Sequence, residues 1–277
     1  MPSKAIPTHR RSASQTRSVP VRKITNAELG AALREGMDDF LSMRGDLMFL
    51  GLLYPLIGIV AATITLGGAL MPLFFPIAAG IGLLGPLAAV GFYEMARRRE
   101  AGQTSNWSHF LDVRKRPAAD DIASVAALLL AIFALWLVAA GILFVALWGL
   151  DAPQSISAFL ARLFTTPEGW ALIVIGNLVG LGFAALVLTI SVVSLPMLVD
   201  CNVSAREAVA TSIRATRENK GAMIRWGLIV AGLLVIGSIP AFIGLAIVLP
   251  WLGYATWHLY TKMVDRNAIP ARSRRRD

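Results

Sequence analysis

Few residues of this 277-residue chain could do chemistry. The single cysteine, Cys201, excludes an internal disulfide and any paired-cysteine metal cluster. Three scattered histidines, His9, His109 and His258, cannot supply a multi-histidine metal site within one chain, so no cofactor or metal is expected. Ser191 and Ser194 have no positioned base close to them in sequence, which reads as a chain without enzymatic activity. The polar groups that remain are Asn177, the strongest within an apolar run, and Glu94 and His258, each near the end of one. Side chains of these types clamp neighbouring helices or line a polar cavity. No charge lies deep in an apolar run, which disfavours ion- or proton-coupled transport.

The elements that would position them are membrane helices. Hydrophobic residues make up 56% of the chain and charged residues 16%, with a mean hydropathy of +0.64, far too apolar for a soluble domain of this length. The net charge of +9 would suggest nucleic acid in a soluble protein, but the positive charges fall between the apolar runs. Of the 26 Lys and Arg, all but Arg162 lie in the N-terminal segment, in the loops after the second and fourth runs, or in the C-terminal tail. Such a bias places those segments in the cytoplasm and leaves no reason to invoke nucleic acid.

The apolar runs imply six spans in three hairpins. Residues 47–66 and 70–94 form the first, turning at Gly67 and Gly68, with Pro72, Pro76 and Pro86 bending the second arm and Arg97 to Arg99 stopping it. Trp107 to Leu111, in the loop that follows, is placed at the membrane interface. Residues 122–148 carry no charge, with Asp120 or Asp121 placed to cap their start, and pair with residues 170–199 across a loop from Gly149 to Gly169. Gly176 and Gly180 in that partner run form a G-x-x-x-G face suited to packing within the chain. Residues 226–260 are too long for one upright span, and Ser238-Ile-Pro240 offers a turn between two short helices.

Two further helices are amphipathic and cytoplasmic. Thr25 and Glu28 form a capping box ahead of the apolar stripe Leu29, Ala32, Leu33, Met37, Phe40 and Leu41, with Glu35, Asp38 and Asp39 on the other side. Ser204 and Glu207 form a second box, ahead of Ala208, Ser212 and Ile213, with Gly221 available as a stop. Residues 1–23 and 265–277 read as basic cytoplasmic tails around a membrane domain of residues 24–264. A diffuse repeat links the first and last thirds: Pro86 precedes Glu94, and Pro250 precedes His258, by the same interval.

The runs VRKITNAELGAALREGMDDF, FPIAAGIGLLGPLAAVGFYEMARRRE, ISVVSLPMLVDCNVSAREAVATSIRATRENKGAMIRWGLI and LPWLGYATWHLY resemble a bacterial integral membrane family, the domain of unknown function 2189. Pro196, Asp200, Ala208, Ser212 and Asn219 also resemble a looser pattern found in several bacterial multi-span proteins. The resemblance implies an all-helical inner-membrane protein and carries over no catalytic residue. The resulting expectation is a non-enzymatic accessory or scaffold module in contact with membrane lipids and with a membrane-protein partner or its own copies. The alternative is an uncoupled transporter or a lipid- or small-molecule-binding protein, with a cavity between the Pro86 and Pro250 helices. A packed seam there would favour the first, a hydrated cavity the second.

Overall fold

The computed structural model describes residues 19–43, 56, 76–77, 84–150, 155–240 and 242–269. Within them the chain is all-helical. The helices are α1 (Asn26–Ser42), α2 (Gly85–Glu100), α3 (Ala119–Trp148), α4 (Ile156–Thr165), α5 (Pro167–Asp200), α6 (Ala205–Glu218), α7 (Lys220–Ser238) and α8 (Leu245–Met263). Short 3-10 turns cover Trp107–Lys115 and Arg266–Ala268. Most of the expected first hairpin lies outside the described residues.

Among the described residues, three helices, α3, α5 and α7, are long and apolar enough to cross a membrane. At 1.5 Å per residue, α5 is about 50 Å long, well beyond a hydrocarbon core of roughly 30 Å. Its burial divides accordingly. Val187 and residues 190–199 are buried in protein, whereas Trp170, Val174, Leu178 and Leu181 are exposed. The core sits around the C-terminal half of α5, where α2, α3, α6 and α8 all contact it.

α1 lies along α8, and their backbones close to a distance only glycine allows. A Cβ on Gly36 would stand 2.6 Å from Ala255 Cα. Glu35 and Asp39, expected on the solvent side of α1, face α8 instead, and the expected stripe residue Leu41 is exposed. The physical reason is that α8 offers cations as well as apolar surface.

Several boundaries differ from the sequence reading. The second arm of the first hairpin is not one bent helix through Pro86, because a helix opens at Gly85 with Pro86 in its first turn, where the missing N–H costs nothing. Arg97 to Arg99 occupy the last turn of this helix, complementing its dipole. Asp120 and Asp121 do not cap α3; they sit in its first turn, and Asp121 accepts from the Ala205 N–H at 2.7 Å, thereby tying α3 to the start of α6. Gly221 does not stop α6. Asn219 ends it, and Gly221 lies inside α7. The loop from Gly149 to Gly169 contains α4, whose Leu163 packs with Phe144 and Trp148. α7 and α8 separate at residues 239–244. Trp107–Lys115 packs inward through Phe110, edge-on to Phe92 at 5.1 Å between ring centres.

Parts of both presumed tails belong to the folded bundle. Val21 bridges Val264, the Arg22 N–H donates to the Met263 carbonyl at 2.7 Å, and the Asp265 N–H donates to the Pro20 carbonyl at 3.0 Å. Val19 and Ile269 are buried.

Candidate functional site

The C-terminal ends of α2, α5 and α8 meet at one end of the bundle, joined by residues 19–25 and 264–269. Three helix ends of the same polarity put partial negative charge and unsatisfied carbonyls in one place. Arginines answer both. Arg116 donates to the Val199 carbonyl in the last turn of α5 at 2.6 Å, and Arg214 donates to the Val19 carbonyl of the entering chain.

Glu94 is the most deeply buried carboxylate here, 1% exposed. Arg97 pairs with it at 2.8 Å and Arg98 at 3.1 Å, while the Arg116 guanidinium stands 3.6 Å away. Arg98 also reaches Asp112 at 3.0 Å. A carboxylate so buried is tolerated because its lone pairs and charge are both met.

Next to it, Asp200 accepts from the Tyr260 hydroxyl at 2.8 Å and pairs with Arg266 at 2.8 Å. Arg266 also pairs with Glu100, which accepts from the Trp257 indole N–H at 3.1 Å. Burial alone would ease the Arg266 proton off, but the charges and hydrogen bonds of Asp200 and Glu100 together outweigh it and hold the guanidinium in its charged form. Burial, helped by Asp200, pushes the neighbouring Cys201 thiol up to about 12, so this buried cysteine is an unreactive packing residue.

His258 lies between two carboxylates of α1, with Nδ1 3.2 Å from Glu35 and Nε2 2.8 Å from Asp39. Arg99 pairs with Asp39 at 2.9 Å and Lys262 with Glu35 at 2.8 Å. Glu35 and Asp39 are one turn apart on α1, and His258 and Lys262 are one turn apart on α8, so two pairs meet along one interface.

The three polar residues singled out from the sequence therefore do not converge on one cavity. Glu94 and His258 belong to adjoining ion-pair clusters at the same end of the bundle. Asn177 is on the exposed half of α5, where its Nδ2 donates to the Ile173 carbonyl of its own helix at 2.7 Å. Of the capping residues, the Thr25 hydroxyl accepts from the Glu28 N–H and the Glu28 carboxylate accepts from the Thr25 N–H at 2.7 Å. Ser204 accepts from the Glu207 N–H at 3.3 Å.

The helices that carry Pro86 and Pro250 meet in a packed seam over the described residues. A Cβ on Gly253 would lie 2.9 Å from Phe92 Cβ, and the Phe92 and Tyr254 rings stand 5.9 Å apart. A cavity of about 450 Å³ opens instead at the helix ends, where Arg22, Arg97, Arg116 and Arg266 alternate with Glu100, Asp200 and Asp265. Its charges are internally balanced: Arg22 pairs with Asp265 at 2.9 Å, and the other three arginines face Glu94, Glu100 or Asp200. Chemically it is a polar recess with no strong preference for either sign.

Pro196, Asp200, Ala208, Ser212 and Asn219 all prove to be joints. Ala208 is fully buried on α6, where α6 lies against α5. Asn219 accepts from the Ile24 N–H at 2.8 Å and donates to the Arg22 carbonyl at 3.0 Å, holding the entering chain. The Ser212 hydroxyl donates to the Thr189 carbonyl at 2.7 Å and accepts from the Val193 N–H at 3.2 Å. It thus bridges two groups that one turn of α5 would otherwise pair directly, one turn before Pro196 removes a donor from the same helix. Ser212→Ala is expected to lower stability by about 1–3 kcal/mol, read as an earlier thermal transition in detergent. An unchanged transition would mean that α5 closes its own ladder without the hydroxyl.

No sequence signal marked Tyr260, Glu100 or Arg266 as members of this cluster, because their partners are far along the chain. No curated protein and no solved structure matches the chain. Residues 74–200, which include Glu94, Asn177 and Asp200, match the family described as Predicted integral membrane protein (DUF2189). Over that stretch, the chain is similar to this family of predicted integral membrane proteins, the one its sequence resembles.

Proposed function

We propose that this is a six-span protein of the bacterial inner membrane, with both ends in the cytoplasm, acting as a non-enzymatic scaffold or accessory module for other membrane proteins. The observation that carries this reading is the packed seam between α2 and α8, where Gly253 meets Phe92 with no space for a substrate path. Buried polar groups at the helix ends are engaged with one another, as in a structural joint. What the described bundle offers outward is apolar: Leu135, Val138 and Ile142 on α3, Leu178 and Leu181 on α5, and Leu228, Val235 and Ile236 on α7 are exposed. Lipid or a partner's helices would cover such surfaces. Arg162, over the Trp148 ring at 4.6 Å, would anchor the opposite, periplasmic end.

The alternative, an uncoupled transporter or ligand-binding protein, would have to use the polar recess at the helix ends. Gentle extraction from the native membrane, followed by mass spectrometry of what co-elutes, separates the two. A stoichiometric protein partner is expected. A retained lipid or small molecule without any partner would reverse the choice.

A further inference from the structure

The half of α5 left exposed among the described residues carries a seam with the period of helix pairing. Trp170, Val174 and Leu181 are 54%, 54% and 64% exposed, and Asn177 and Ala184 are exposed with them. These five positions alternate steps of four and three residues, the a/d spacing of a coiled coil. From Trp170 to Ala184 the seam runs about 21 Å, most of a hydrocarbon core. It is distinct from the face that meets α3, where Gly180 approaches Trp136 and Gly176 approaches Leu143.

Asn177 at the centre of this seam is what identifies an occupant. Its Nδ2 has one bond, to a carbonyl of its own helix, and its Oδ1 accepts from no group among the described residues. A carboxamide offers two donors and an acceptor, so it is its own complement, and in lipid no water is present to take that role. A two-fold axis through the seam sets each asparagine opposite its twin, so the pair exchanges two hydrogen bonds, while Val174 and Leu181 pack above and below. An unrelated partner would need a matched polar group at the same depth; a second copy has one by construction. A lone asparagine at a core position also fixes register and favours two strands.

We propose that two copies of this chain pair through α5, with Asn177 hydrogen-bonded to Asn177 of the second copy. This rests on the membrane placement in the proposed function and supplies one partner for it.

The test is disulfide cross-linking of the full-length protein in its native membrane, in a Cys201→Ser background. Val174→Cys and Leu181→Cys should each give a dimer band on oxidation. Leu186→Cys, 45% exposed on the same helix but off the seam, should not. Adding Asn177→Leu should reduce cross-linking at Val174→Cys about fivefold, whereas Asn177→Gln should retain part of it. Asn177 is exposed, so folding of these variants is checked by an unchanged thermal transition. Monomer at both seam positions, equal cross-linking at Leu186→Cys, a band of another protein's mass, or indifference to Asn177→Leu would each overturn the pairing. The co-elution experiment on the unaltered protein reports separately on the scaffold reading, so failure of one is not mistaken for failure of the other.

Discussion

Replacing Glu94 with alanine should unseat the helix-end cluster and lower stability by about 3–5 kcal/mol, because it leaves three arginines around a buried site without their shared carboxylate. Glu94→Gln keeps an acceptor of the same shape and should lose less. The expected reading in detergent is a large drop in the thermal transition for alanine and a smaller one for glutamine, with Asp112 still available to Arg98. If Glu94 served a ligand, the order of effects would be different. Both variants would then keep the fold and lose retention of the ligand equally. An alanine variant as stable as the parent would show that the arginines find water, and that the cluster does not hold α2 to the rest of the bundle.

Gly36→Ala should displace α1 from α8. Its new Cβ would stand 2.6 Å from Ala255 Cα and 2.8 Å from Ala255 Cβ, and backbone atoms cannot swing aside as a flexible side chain can. Overpacking of this kind costs about 1–3 kcal/mol. Displacement would also break the contacts of Glu35 and Asp39 with His258 and Lys262, so the total should reach or pass the upper end of that range. Protease sensitivity of residues 26–42 and the thermal transition both report it. A second change, Ala255→Gly, removes the methyl group but not the backbone clash, and should rescue only in part. Full rescue would mean that side-chain overlap alone, not backbone approach, set the limit.

Much of the architecture was legible because membrane helices are written locally. The charge-free run 122–148 and the run 170–199 appear as α3 and α5, each extended at its ends, and Ser238-Ile-Pro240 did mark the break between α7 and α8. Local rules failed where an element answers to a distant partner. Asp121 reads as a cap for α3, but it binds the first N–H of α6, which only the fold brings near. Glu35 and Asp39 look solvated on α1 because the sequence does not say that α8 will present His258 and Lys262 at the same one-turn spacing. That matched spacing was present in the sequence as a signal. Helix α4 was missed since ten residues are too few for a convincing periodic pattern, although Ser155 caps it and accepts from the Ala158 N–H at 3.2 Å.

For the site, residue type was a better guide than location. Glu94 and His258 were singled out as polar groups near the ends of apolar runs, and each is the centre of an ion-pair cluster. Arg97 and Arg98 lie on the same helix as Glu94, but Arg116, and the Glu35 and Asp39 that flank His258, come from other elements, so a sequence reading finds each hub without its distant spokes. Pro196, Ser212 and Asn219 stood out together, and the structure gives each a joint to serve at α5, α6 or the entering chain.

The joint of helix ends, the exposed apolar faces and the α5 seam all presuppose one membrane orientation, which reporter fusions test directly. A reporter active only in the cytoplasm should be active when fused at Arg17, Ala118 and Arg272 and inactive at Gln154. Activity at Gln154 would contradict that orientation and, with it, the placement of α3 and α5 as a hairpin crossing the membrane.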